Sequence, residues 1–145
     1  MALRRGRDKG VLLRVELPWA PSINHYWRRV GPRTIISREG RRFQEAVCSL
    51  LGGNGPRKPP AGGRIALMMD AFPPDRRRRD LDNLQKPLLD ALEHAGIYED
   101  DSQIDLLVTR RMAICPSGRI VVRIEELPLR RCILCGAPIN EAENN

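Results

Sequence analysis

A chain of 145 residues is the size of one domain, since ~150 residues bury on the order of 70% of their unfolded surface. No run approaches the ~20 consecutive apolar residues of a membrane span, and the amino terminus MALRRGRDKG is basic without the apolar segment of a secretory signal; no membrane association and a cytoplasmic location are therefore expected. The net charge of +7 is unevenly placed: residues 1–86 hold 19 Lys+Arg against 8 Asp+Glu, a balance of +11, while residues 87–145 hold 6 against 10, a balance of −4.

Of the 25 basic residues 22 are arginine, whose planar fork suits phosphate, so a polyanion and above all a nucleic acid is the expected partner. The four cysteines, Cys48, Cys115, Cys132 and Cys135, are expected as reduced thiols, because only the last two stand close together and a disulfide framework is uncommon in a reducing compartment.

After a basic extension over residues 1–10, VLLRVELP at 11–18 alternates loosely and ends at a proline, which predicts a strand entering a loop. The loop APSINHYWRR places Asn24, His25, Tyr26 and Trp27 beside Arg28 and Arg29. A short extended TII precedes Ser37, an N-cap for a helix whose stripe is Phe43, Ala46, Val47, Leu50 and Leu51, ending at Gly52 and Gly53. Residues 52–63 read as a Gly/Pro linker. A second strand, RIALMMDAF at 64–72, stops at Pro73 and Pro74.

The second helix carries Leu88, Leu89, Leu92 and Ala95 on one side and closes at Gly96. Pro87 is most comfortable at a first helical position, so an entry turn over 80–86 followed by helix is predicted. Two alternating runs, 103–114 and 119–127, flank CPSG and predict a β-hairpin. The expected domain, 11–127, is thus α+β: a small mixed β-sheet with two helices on one face, in the order β-α-β-α-β-β, followed by a tail over 128–145.

The chemistry concentrates in RRRRDLDNLQK, residues 76–86. In an extended or turn-like segment side chains at i and i+2 point the same way, so Asp80 and Asp82 can converge. Two close carboxylates repel unless they share a proton or bind a cation, and oxygen ligands favour a hard ion such as Mg²⁺. EDD at 99–101 offers a third ligand, Asp100 or Asp101, if the chain folds back past the helix. Such a site activates water and neutralises charge in phosphodiester hydrolysis. Lys86 is four residues beyond Asp82; an i,i+4 ion pair is its ordinary role, and stabilising developing charge on a scissile phosphate is its catalytic one. Arg76, Arg77, Arg78 and Arg79 would hold the DNA backbone, while Asn24, Tyr26, Arg28 and Arg29 are further candidate DNA contacts, with Tyr26 and Trp27 able either to stack on exposed bases or to pack in the core.

PDRRRRDLDNLQK, followed by a LDAL helix, an AG and then DDSQI, is similar to the RusA family of Holliday-junction endonucleases, and LPWAPSINHYWR resembles that family's Pro-rich amino-terminal motif. The resemblance runs from about Val11 to Leu127. It implies a homodimeric, Mg²⁺-dependent resolvase acting on four-way junction DNA in recombination and repair, with Mn²⁺ as a substitute ion, the catalytic and metal-binding aspartates on Asp80, Asp82 and Asp101, and the catalytic lysine on Lys86. The alternative is a junction-binding protein without cleavage, in which the acids only order a basic loop. The chain departs from the family pattern in Ala20, where a proline is expected, in the long linker at 52–63 and in the tail. Within the tail Cys132 and Cys135 form a CxxC, half of a zinc site, which two copies of the chain could complete. His94 suits a helix carboxyl end.

Overall fold

Alternation in VLLRVELP produces strand β1, Val11–Pro18, with Leu13, Val15 and Leu17 buried and Arg14 outside; the computed structural model describes residues 10–52, 59, 63–127 and 134–135. A single helical turn, α1 (Ile23–Tyr26), leads into a two-stranded antiparallel ribbon, β2 (Trp27–Val30) with β3 (Arg33–Ile36). Gly31, at φ +58°, lets the chain reverse between them. This ribbon lies where a loop and a short extended TII were expected.

Helix α2, Arg38–Leu51, starts as predicted at Ser37, whose hydroxyl accepts the Gly40 N–H at 3.0 Å. Its buried stripe is Gly40, Phe43, Gln44, Val47 and Leu51. Gly40 is required by contact: a Cβ there would stand 2.8 Å from both the Tyr26 carbonyl oxygen and Ile36 Cγ2, so α2 sits directly on the base of the ribbon.

Strand β4, Ile65–Phe72, is followed by helix α3, Asp82–His94, a 3₁₀ turn at Asp101–Gln103, strand β5, Ile104–Arg111, and strand β6, Arg119–Glu126. The four long strands form one mixed sheet in the order β1-β6-β4-β5. Helices α2 and α3 cover one face, with Phe43, Val47, Leu51, Leu84, Leu88 and Leu92 packed on Leu13, Val15, Leu17, Leu67, Met69, Ala71, Ile120, Val122 and Ile124. The other face carries ion pairs, Arg110 with Asp70 at 2.7 Å and Arg119 with Glu16 at 3.3 Å. The α+β class and the mixed sheet with its helices on one face are as expected. Among the described residues no helix is long and apolar enough to cross a membrane.

Two expectations are corrected. The runs either side of CPSG are not a hairpin, because β4 lies between them: it pairs parallel with β5 and antiparallel with β6. The connecting segment runs along the end of β4, with the Met112 N–H donating to the Ala71 carbonyl at 2.8 Å and the Cys115 N–H to the Pro73 carbonyl at 2.9 Å. It then turns through Ser117 and Gly118, both at positive φ, onto the far edge of β4. Parallel strands need a crossover, and α3 supplies it between β4 and β5.

The second correction concerns Pro87, which lies inside α3 and is fully buried, the helix having begun at Asp82. So close to the amino end, the proline removes only the bond to the Asn83 carbonyl, and its burial on the core side offsets that loss. At the other end Gly96, at φ +76°, closes the helix with Ile97 N–H bonded to the Leu92 carbonyl at 3.1 Å. Cys132 and most of the 52–63 linker lie outside the described residues, so the CxxC reading is carried here only by Cys135, which is exposed.

Candidate active site

The arginine-rich loop between β4 and α3 is organised by a residue the sequence reading passed over. The Asp75 carboxylate accepts the Arg77 N–H at 2.8 Å and grips Arg79 through both guanidinium nitrogens, at 2.6 and 3.0 Å. This grip, with the Arg77 backbone bond second, holds the Asp75 carboxyl down at about 2 from its usual 3.8. The Arg79 guanidinium lies 5.8 Å from the Trp19 ring, within cation–π range, and its carbonyl accepts from Arg111 Nη2 at 2.6 Å. Arg79 is therefore engaged by the protein, whereas Arg76, Arg77 and Arg78 face solvent.

Asp80 and Asp82 follow, both exposed. Leu81 between them takes helical dihedrals and Asp82 is already the first residue of α3, so the extended geometry that would have made the two carboxylates converge is absent. One turn further on, Lys86 Nζ is 2.7 Å from Asp90 Oδ1 and 3.3 Å from Asp101 Oδ2. Its ordinary role was expected to be a pair with Asp82; the helix instead pairs it forward with Asp90. The Asp90 hydrogen bond, followed by its charge and then by Asp101, raises the Lys86 pKa against a smaller opposing effect of burial, so the ammonium is firmly cationic.

Asp101 is held in place by its neighbours. The Asp100 side chain accepts the Ser102 N–H at 2.8 Å, and the Gln103 side-chain oxygen accepts the Asp100 N–H at 3.5 Å and the Glu99 N–H at 2.9 Å, a reciprocal cap on the 3₁₀ turn. Gln103 is itself buried and donates to the Gly63 carbonyl at 3.0 Å. Asp100, the rival third ligand, thus has a structural task, and its hydrogen bonds from Ser102 lower its pKa. Asp101 is left facing Lys86. Among the described residues the carboxylates that gather within 4.8 Å of one another are Glu93, Asp100 and Asp101; Asp80 and Asp82 do not join that group.

The amino-terminal candidates divide. Asn24, Arg28 and Arg29 are exposed. Tyr26 is not: it is fully buried, its hydroxyl accepts from Gln44 Nε2 at 2.6 Å, and Trp27 stacks edge-on against it at 5.2 Å. It is a packing residue and presents no face to a base. Burial raises its pKa, with the charge of Asp90 as the next cause. Asp75 and Asp90 are the residues that the sequence analysis does not single out. Each stands four residues from its basic partner, a spacing that could have flagged both.

The site therefore joins a loop of outward arginines, two aspartates at the mouth of a helix, and a lysine clamped between a helix carboxylate and one from beyond the helix end. The model of the family described as endodeoxyribonuclease RusA matches residues 18–125, which takes in all of these parts.

The chain belongs to the RusA family.

Among its RusA relatives, the crossover junction endodeoxyribonuclease of Enterobacteria phage HK97 is 40% identical over 115 residues, covering 77% of this chain and 92% of the relative. That of Enterobacteria phage 82 is 38% identical over 117 residues, covering 78% and 93%. The crossover junction endodeoxyribonuclease RusA of Escherichia coli K12 is 36% identical over 113 residues, again covering 78% and 93%. The RusA match stops short of the tail containing Cys132 and Cys135.

Proposed function

We propose that this chain is a divalent-metal-dependent endodeoxyribonuclease that resolves four-way DNA junctions by paired nicks, acting as a homodimer. Lys86, fixed 3.3 Å from Asp101 at the end of an arginine-lined loop, in a chain of the RusA family, is the observation that carries this reading. The donors at hand are all carboxylate oxygens, which suits a hard cation such as Mg²⁺, with Mn²⁺ as a substitute. Asp80, Asp82 and Asp101 would hold the ion. When bound it would activate water and neutralise charge on the phosphodiester.

The chain's own groups have distinct tasks in this reading. Arg76, Arg77 and Arg78 hold the backbone of the substrate, Arg79 shapes their loop through Asp75, and Asn24, Arg28 and Arg29 contact DNA from the neighbouring turn and ribbon. Lys86 stabilises the negative charge that develops on the phosphoryl oxygens. Asp90 keeps its ammonium aimed, and Asp101 ties it to the metal-binding carboxylates. A substrate with two-fold symmetry that is cut twice suits a C₂ dimer with one site per subunit.

The test is direct. Protein incubated with a synthetic four-way junction and Mg²⁺ should produce symmetric nicks on two opposed strands, and a linear duplex of the same sequence should stay intact. Tight junction binding without product under either Mg²⁺ or Mn²⁺ would instead identify a non-catalytic DNA-binding protein.

A further inference from the structure

The arginines fall into two populations. Arg64, Arg79, Arg110, Arg119 and Arg123 each meet a carboxylate. Within one contiguous stretch, by contrast, Arg28, Arg29, Arg33, Arg38, Arg41 and Arg42 are all exposed, and none forms an ion pair among the described residues, although Glu39 and Glu45 lie on the same helix. Like charges so concentrated repel one another, a cost that a polyanion removes on binding.

Their placement is ordered. At about 100° per residue, Arg38, Arg41 and Arg42 fall within roughly 100° of arc on α2, opposite the buried Gly40, Phe43 and Val47. The ribbon leads directly into the amino end of that stripe, because β3 ends at Ile36 and Arg38 opens α2 one residue after Ser37, whose N–H bonds the Tyr26 carbonyl at 2.8 Å. The base of the ribbon adjoins the candidate site: Tyr26 is bonded to Gln44 of α2, and both α1 and α2 pack against α3, which carries Lys86 and Asp90.

We propose that Arg38, Arg41 and Arg42 on α2, continued by Arg33 on the ribbon, form a second DNA-contact track that holds the phosphate backbone of a duplex arm leading away from the cleavage site. This rests on the junction-cutting function proposed above and adds a surface to it: the loop arginines hold the strand to be cut, and the α2 track holds the arm behind it. Its contacts are to phosphate, so they position without reading sequence.

Each phosphate contact contributes about 0.9 to the slope of log affinity against log salt. Full-length protein and a four-way junction, followed by fluorescence anisotropy without divalent ion across a salt series, should show this slope shallower by about 0.9 in each of Arg38→Gln, Arg41→Gln and Arg42→Gln. The triple variant should lose correspondingly more, while its nicking rate with saturating enzyme and Mg²⁺ stays at the wild-type value. The triple Arg→Lys variant should keep the wild-type slope, which guards against misfolding as the cause. Arg14→Gln, an exposed arginine on β1 outside the track, removes the same charge and should leave the slope unchanged. A triple glutamine variant with the wild-type slope, or an equal loss in Arg14→Gln, overturns the track while leaving the nuclease reading intact. A wild-type protein that neither binds nor nicks the junction removes the nuclease reading itself, and the track with it.

Discussion

Asp90 and Asp101 approach Lys86 from different directions, one from a turn further along α3 and the other from beyond the helix end. Replacing Asp90 by Asn removes the nearer, charged partner and frees a flexible side chain at the point where orientation matters. Junction nicking should fall by on the order of 10-fold or more, with binding affinity nearly unchanged, and Asp90→Glu should recover part of the rate; single-turnover cleavage beside an anisotropy titration measures both. Asp82→Asn should retain junction binding and lose cutting under the same two assays, and wild-type nicking by that variant would remove Asp82 from the site. Asp75 has a different signature. Its carboxyl is held at about 2 from the usual 3.8, so the grip on Arg79 adds stability that is fully present above about pH 4 and is lost as the pH falls towards 2. The stability difference between wild type and Asp75→Asn should therefore shrink across that window, as read by urea unfolding at successive pH values. Residue types and spacing offered Asp80, Asp82 and Lys86 as candidates and left Asp100 and Asp101 open, the choice of Asp101 coming only from the family resemblance. They did not reveal that Lys86 would choose Asp90, or that Asp100 would be taken up in capping its own turn, because a partner is selected by where the backbone turns after the helix.

At the scale of elements, α3 carries both the core and the site on opposite sides. Leu88 is fully buried in the cluster under the sheet, so Leu88→Ala should cost about 2–5 kcal/mol, measured by denaturant unfolding. Both long helices and the strands β1, β4, β5 and β6 were legible because each has an apolar stripe of clear period, and the caps at Ser37 and Gly96 marked their ends. The ribbon was not legible: WRRV and RTII are too short and too charged to show alternation, and their pairing depends on the seat that α2 offers at Gly40. The β5–β6 arrangement was misread for another reason. Two alternating runs around a tight turn signal a hairpin locally, whereas the intervening hydrogen bonds go to Ala71 at the end of β4 and to Pro73 just beyond it, some forty residues earlier in the chain by their numbering.

Over the whole molecule, charge is sorted by face. On the open side of the sheet Arg110, Arg119 and Arg123 are balanced by Asp70, Glu16 and Glu125, while among the described residues the arginines of the ribbon and of the outer side of α2 form no ion pair, and in the 76–78 loop Arg77 alone meets a carboxylate, Asp75 at 3.9 Å. This sorting explains how a net charge of +7 can coexist with a stable sheet, and it predicts that junction affinity drops steeply between about 50 and 200 mM salt. If the enzyme works as a pair, light scattering should give the mass of two chains at the concentrations used for cleavage; a monomer that still delivers both nicks in one encounter would remove the symmetric scheme. The uneven division of charge along the chain was visible at once, but its allocation to surfaces required the fold.

All four of the residues proposed for catalysis, Asp80, Asp82, Lys86 and Asp101, lie in the single excursion that leaves β4 and returns as β5, its parallel neighbour. Asp101 reaches its place opposite Lys86 through the capped turn at the very end of that excursion, immediately before the return strand. One crossover thus carries every proposed catalytic group, and a change in how it packs on the sheet would move all four together.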